Sequence, residues 1–156
     1  MTSRAKTLIL SLAAVSLLRC GSKAPTTPTT GDELAMTPSA DPVVATASPD
    51  KAYQYSATVT VTLAESNGLG VLVDGVSGRL DQATAGIVVV TATAPVYRFQ
   101  VRGTGNKVPA RSSLPVTLDF LYTLGDGSRE ALLTITFQLY DDAGVAYTQT
   151  KQIKVI

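Results

Sequence analysis

The chain has 156 residues, with 13 Lys or Arg, 12 Asp or Glu, one cysteine and no histidine or tryptophan. The lack of histidine removes the usual general base and the commonest metal ligand, which excludes Ser-His-Asp, Cys-His and ordinary zinc sites. One cysteine cannot form an internal disulfide. The near balance of charge gives no electrostatic reason for a nucleic-acid partner. We therefore expect a protein without catalytic activity, metal or cofactor.

The first twenty residues have the pattern of an export signal. Arg4 and Lys6 precede a short apolar stretch, residues 7–18 (TLILSLAAVSLL), and Arg19-Cys20-Gly21 follows it. A basic start, a short apolar core and a small-residue boundary are typical of secretory signal peptides. The stretch is shorter than the roughly 20 apolar residues that a spanning helix needs. We expect residues 1–19 to be a signal peptide that is removed on export.

The residues around the cysteine carry a first resemblance. Leu17-Leu18-Arg19-Cys20 resembles the lipobox of bacterial lipoproteins, in which the cysteine is acylated and becomes the first residue of the mature protein. Arg19 departs from the family, which has Gly, Ala or Ser there. The resemblance implies lipidation of Cys20, attachment to the membrane through acyl chains and, given Gly21, an outer-membrane location where the cell has two membranes. Cleavage after Ala24 and an uncleaved anchor are the alternatives.

A flexible linker is expected over residues 20–50. Five prolines and many Thr, Ser and Ala residues occur after the cysteine, with few aliphatic residues among them. Such a composition offers too little apolar surface to offset the entropy lost on ordering. Residues 41–48 (DPVVATAS) allow two interpretations, continued linker or a first edge strand, because proline is accepted where a strand begins.

From residue 51 onward the sequence has the period of β-strands. Residues 53–63 (YQYSATVTVTL) place Ala, Val and Leu on one face and Ser and Thr on the other, as in a half-buried antiparallel strand. Alternating strands are also predicted over residues 96–102, 115–124, 131–140 and 145–155. The alternation directs Phe99, Phe120, Ile135 and Phe137 inward.

Other segments are less regular. Residues 70–80 (GVLVDGVSGRL) predict a looser strand broken by glycines, and residues 86–94 (GIVVVTATA) form a continuous apolar run. Such a run is typical of a strand that is central or buried on both faces. Residues 125–127 (GDG) predict a hairpin turn, because Asp and Gly tolerate positive φ, and residues 141–144 (DDAG) predict another turn.

About seven short strands over residues 51–156 predict a single all-β, antiparallel sandwich. Residues 59–73 (VTVTLAESNGLGVLV) and 132–155 (LLTITFQLYDDAGVAYTQTKQIKV) resemble the immunoglobulin-like and fibronectin type III-like sandwiches of bacterial exported proteins. The chain lacks the inter-sheet cysteine pair and the core tryptophan of antibody domains. A small barrel is the alternative closure.

The candidate binding residues are basic. Arg98 and Arg102 are predicted to face outward on one strand, and Lys107 and Arg111 follow in the next loop. Such a cluster is suited to an anionic surface, for example an acidic glycan or lipid headgroups. The alternative is a solvated face whose charges prevent edge-to-edge pairing of strands.

Acidic residues give weaker candidates. Asp141 and Asp142 with Gly144 suggest part of a calcium loop, but the spacing of such a loop is absent, so a turn with solvated carboxylates is the preferred interpretation. Nothing in the spacing brings Asp74, Asp81 and Asp119 together as a hydrolytic pair. We predict no metal site and no catalytic residue.

These observations favour an exported lipoprotein that presents a non-catalytic β-sandwich as a binding or structural module of the cell envelope. Its expected partners are the membrane, through acyl chains on Cys20, and an envelope protein or glycan. A passive envelope spacer and a histidine-independent enzyme are the alternatives. The sequence leaves the ligand and the oligomeric state open.

Overall fold

A computed structural model describes residues 34–103, 105–125 and 127–156. The predicted signal peptide, Cys20 and the first part of the predicted linker lie outside these residues. The described strands are β1 Ala35–Pro38, β2 Thr46–Ala47, β3 Tyr55–Ala64, β4 Val71–Thr84, β5 Ile87–Val88, β6 Val96–Arg102, β7 Lys107–Val108, β8 Ser113–Thr123, β9 Ala131–Asp141 and β10 Ala146–Val155. Over this part of the chain, no helix has the length and hydrophobicity to cross a membrane.

The strands form two antiparallel sheets that pack face to face, which confirms the predicted all-β sandwich. The first sheet has the order β1-β3-β8-β6, and β2 also pairs with β3. The second has the order β10-β9-β4-β5, and β7 also pairs with β4. With β2, β5 and β7 set aside as two-residue strands, seven strands remain. They have the order of a constant-type immunoglobulin domain.

The core lies between the two sheets and follows the predicted alternation. On β3, Ala57, Val59, Val61 and Leu63 are buried, because alternate residues of a strand face the same side. The predicted inward residues Phe120, Ile135 and Phe137 are also buried. Phe99 is half-buried and packs against the same core cluster. The register of these strands is therefore as the sequence predicts.

Phe99 reaches the opposite sheet over a glycine. A Cβ added at Gly78 on β4 would lie 2.6 Å from Cε2 of Phe99, which is closer than real Cβ atoms approach. The glycine therefore makes room for the aromatic ring. It does not break the strand, since β4 runs unbroken over 14 residues, with one bulge between Val73 and Gly75.

The two predicted turns differ in outcome. Residues 141–145 do form a hairpin, because β9 and β10 pair along their whole length, from Tyr140 with Ala146 to Ala131 with Val155. The predicted hairpin at residues 125–127 is wrong. β8 pairs with β3 and β6, whereas β9 pairs with β4 and β10, so this connection crosses from one sheet to the other.

The linker predicted over residues 20–50 includes residues that the structure shows packed on the sandwich. From Leu34 onward the chain packs on the sandwich: β1 and β2 pair with β3, and Leu34, Val43 and Ala45 are buried. Between these strands the chain reaches the second sheet, where Val43 forms a parallel bridge to Val155. Residues 34–47 therefore close the gap between the edges of β3 and β10, which offer backbone groups that pairing satisfies.

The prediction for residues 86–94 is also wrong. Only Ile87 and Val88 are in a strand, which pairs with the end of β4. The side chains are exposed: 71% for Ile87 and 100% for Val90. After a two-residue turn at Ala85 and Gly86, both with positive φ, the chain forms β5 and then leaves the second sheet to begin β6 in the first.

Candidate functional site

The four predicted basic residues do not lie on one face. Arg98 and Arg102 are on β6, where their cross-strand partners on β8 are Leu121 and Thr117. Lys107 is on β7, which pairs with β4 of the second sheet. Arg111 lies in the connection between β7 and β8. The structure thus brings Arg98 and Arg102 together and separates them from the other two.

A shallow groove of about 320 Å³ lies on the outer face of the first sheet, across β3, β8 and β6. Arg98, Gln100 and Arg102 line one side. A cross-strand row runs across the groove from Gln100 on β6 through Asp119 on β8 to Thr58 on β3. The full lining is Pro49, Ser56, Ala57, Thr58, Arg98, Gln100, Arg102, Asp119, Phe120 and Leu121.

Asp119 is fixed by its neighbours in this row. One carboxylate oxygen accepts a hydrogen bond from Thr58 Oγ1 at 2.7 Å, and the other accepts from Arg102 Nε. The hydrogen bond from Arg102, supported by that from Thr58, lowers the pKa of Asp119 against the opposing effect of burial. The same pair raises the pKa of Arg102. At neutral pH Asp119 is therefore a charged hydrogen-bond acceptor and not a proton donor.

Arg98 is the freer cation of the groove. Its guanidinium lies 3.5 Å from Asp50 Oδ2, and its Cζ lies 5.7 Å from the centre of the Tyr53 ring. Its side chain remains 59% exposed. An exposed ion pair of this length contributes little to stability, so Arg98 can exchange its partner for a ligand at small cost.

Lys107 and Arg111 lie outside the groove and make polar contacts near the start of β4. Lys107 Nζ lies 2.9 Å from Asp142 Oδ1, and the other oxygen of Asp142 accepts from the Gly70 amide at 3.1 Å. The backbone amide of Arg111 donates to Glu65 Oε2 at 2.6 Å. The side chains of Arg98, Arg102 and Lys107 are thus each paired with a carboxylate, so these three positions are less cationic than the sequence suggests. Arg111 contacts its carboxylate through the backbone.

Glu65 is an important residue that the sequence analysis missed. Its carboxylate is buried and accepts hydrogen bonds from the amides of Asn67, Gly68 and Arg111. These bonds, led by that from Arg111, lower its pKa although desolvation opposes them. Glu65 thereby ties residues 65–70 to the connection before β8. A carboxylate two residues before Asn-Gly was the signal for a turn-capping role.

Residues 141–144 form a turn, which is the interpretation preferred from the sequence, but their carboxylates are not simply solvated. Asp141 is buried, and its Oδ1 accepts from the Val145 amide at 2.8 Å. Among residues 34–156, apart from Thr104 and Asp126, no three acidic or other ligating side chains are arranged to hold a metal ion. Hydrogen bonds within the turn thus account for the placement of Asp141.

The remaining carboxylates are far apart. Asp74 and Asp81 lie on β4, separated along the strand by about 23 Å at ~3.3 Å per residue. Asp119 is on the other sheet. Glycosidase pairs are separated by only ~5–9.5 Å, so Asp74 and Asp81 are not arranged for such chemistry.

No protein-family model matches this chain, and no curated protein matches it.

Proposed function

We propose that the chain is an exported lipoprotein, anchored through acyl chains on Cys20, that presents its β-sandwich as a binding module of the cell envelope. The groove on the first sheet is its binding site. The observation that carries the proposal is the row of fixed polar groups in this groove, where Asp119 is held between Thr58 and Arg102. Preorganised donors and acceptors reduce the entropy lost on binding.

The charge of the groove favours a polar ligand that is bound at short range. Arg102 is balanced by Asp119 and Arg98 by Asp50, so long-range attraction to an anion is weak. Arg98, Gln100 and Ser56 at the lining offer both donors and acceptors. An envelope glycan or a polar protein segment has the matching groups. A passive spacer needs no such groove.

The anchor is tested by mass spectrometry of the mature N-terminus. We expect a diacylated or triacylated Cys20 as residue one, because one acyl chain alone gives only marginal membrane binding. Cys20→Ala is expected to release the protein from the membrane or stall its processing. An unmodified N-terminus at Pro25 would contradict the lipoprotein proposal. In cells with two membranes, fractionation is expected to place the protein in the outer membrane.

The groove is tested by capture of partners from cross-linked envelope. The variant combines Arg98→Glu with Arg102→Gln, since a glutamate at position 102 would stand beside Asp119 and strain the fold. Arg79→Glu is the matched control: Arg79 is an exposed arginine paired with Asp81 on β4 of the other sheet. We expect the double variant to lose its partners and the control to keep them.

Two results would count against the groove. Capture of the same partners by the double variant would favour the passive spacer, with the arginines serving only as solvated surface. Equal loss in the Arg79→Glu control would point to general charge or folding effects. Circular dichroism spectra and melting curves of all three proteins check that the fold is retained.

A further inference from the structure

The second sheet ends in an edge of unusual composition. From Gln82 to Tyr97 no residue carries a charge. Within this stretch Ile87, Val88 and Val90 project exposed side chains; we call residues 87–90 the apolar edge. Its β-branched residues favour strand pairing, and the uncharged run has none of the charges with which exposed edges are normally protected.

The apolar edge has one free side. Ile87 and Val88 pair with Thr84 and Ala83 of β4, and β5 is the last strand of the second sheet in the part of the chain described here. β6, the last strand of the first sheet, is protected differently, because it carries Arg98 and Arg102. Pairing β6 antiparallel with itself about Gln100 would oppose these two cations, whereas the apolar edge carries no repulsive charge.

The position of the apolar edge separates it from the proposed anchor. The described chain enters beside Ala64, the partner of Ala35, and β4 runs from that end over 14 residues to the apolar edge. At ~3.3 Å per residue this distance is about 40 Å. The linker expected between Cys20 and Leu34 has ~14 residues, and a flexible chain of that length has a root-mean-square length of about 20 Å.

We propose that the apolar edge pairs with the apolar edge of a second copy of this chain. The choice of a second copy over the lipid surface rests on the proposed anchor at Cys20, which holds the opposite end of the domain nearer to the membrane than the edge. The choice of a copy over a charged partner rests on the stretch from Gln82 to Tyr97, which has no charge of its own to repel a second copy or to be left unpaired against it.

The size of the apolar edge determines the strength of this association. Four residues are far fewer than the roughly 20–30 that each side of a stable interface contributes. The dimer is therefore weak in dilute solution. Tethering both copies to one membrane raises their local concentration, as linking two modules does, and the association becomes significant there.

The test uses residues 20–156 with Cys20→Ala, which retain every described residue and contain no other cysteine. The Val90→Cys variant then has a single thiol, at residue 90, and a disulfide-linked dimer forms faster than by random collision when two copies bring their edges together. Val44→Cys is the matched control, because Val44 is also an exposed valine, at 67%. Formation of covalent dimer is followed under mild oxidation at equal protein concentrations of about 1 mM, where an association of only ~4 kcal/mol is half-populated.

We expect dimer to form at least tenfold faster with Val90→Cys than with Val44→Cys, and Ile87→Lys to reduce the faster rate to that of the control. Equal rates for the two cysteines would overturn the proposal. Binding to phosphatidylcholine vesicles that depends on Val90, without faster dimer formation, would also overturn it and assign the edge to lipid. The protein carries no acyl chain here, so failure of the anchor is detected separately, by mass spectrometry.

Discussion

Residues 34–47 and residues 86–94 lie at opposite edges of the sandwich and are held very differently. The first segment contains Pro38 and Pro42, yet it pairs with both sheets, and Val43 is only 3% exposed. The second is rich in branched aliphatic residues, yet Val90 is fully exposed. Burial therefore depends here on whether a segment finds an open gap between two sheet edges, and not on its apolar content alone.

The gap explains the difference. Without residues 34–47, β3 and β10 would be the edge strands of the two sheets on this side. The segment supplies hydrogen bonds to both: the Ser39 amide donates to Thr60 O, and the Val43 amide donates to Lys154 O. Residues 86–94 pair with β4 only through their first residues. They then pass to the first sheet, where β6 begins. A crossing segment of this kind has no second edge to fill.

The largest expected effect is at Val43. Val43→Asp places an unpaired carboxylate in the core, which costs on the order of 3–5 kcal/mol. Val44→Asp, one residue later on the exposed side, is expected to change stability by less than about 0.5 kcal/mol. Urea unfolding of both variants measures the difference. Similar midpoints would mean that residues 34–47 are a linker after all.

A smaller effect is expected from Glu65, which holds the end of the strands opposite the apolar edge. Its folded-state pKa is lowered, so its contribution to stability is complete above the unfolded pKa of ~4.3 and is lost as the pH falls through the folded value. The protection factors of the Asn67, Gly68 and Arg111 amides, which are exchange rates corrected for the intrinsic pH dependence, should fall over that acid range. Residues 86–94 contain no ionisable side chain and serve as an internal control.

Glu65→Gln checks the cause of this pH dependence. The variant keeps one amide oxygen as an acceptor but has no group that titrates in this range. We expect it to be less stable than the parent at neutral pH and to lose the acid-dependent fall in the protection factors of Asn67 and Gly68. An unchanged acid profile would assign the effect to another carboxylate.

A gain of about 1 kcal/mol is expected at the turn that precedes the apolar edge. Ala85 has a φ of 53°, a left-handed conformation that costs an ordinary residue roughly 1–2 kcal/mol. Asn-Gly is the preferred pair for a two-residue turn with positive φ at both positions. Ala85→Asn should therefore raise the melting temperature. A decrease would show that the turn has another conformation in solution.

The smallest effect is expected at Val90. Val90→Thr removes no packed methyl group in one copy of the chain, so the free energy of unfolding should change by less than about 0.5 kcal/mol. Val59→Thr on β3 is the comparison, because Val59 is buried and its hydroxyl replacement lacks a partner there. Equal losses would indicate that residue 90 packs within its own domain.

Within the sandwich, the alternation of β3, β8 and β9 was enough to predict which side chains form the core. The outward placement of Arg98 and Arg102 followed from the same period. The groove was less predictable, because Thr58 and Asp119 become neighbours only through the pairing of β3 with β8. The carboxylate contacts of Lys107 and Arg111 were hidden for the same reason, since Asp142 and Glu65 are far from them in the chain.

The sequence by itself determined the all-β class and which strand residues face the core. The alternation of apolar and polar residues is a local property, so it can be read without knowing which strands pair. Only the tertiary structure decided which strands share a sheet. That choice made residues 124–130 a crossing connection, drew residues 34–47 into the gap beside β10 and left the apolar edge exposed. Pairing depends on which edges remain open once the other strands have packed, and this is a property of the whole chain.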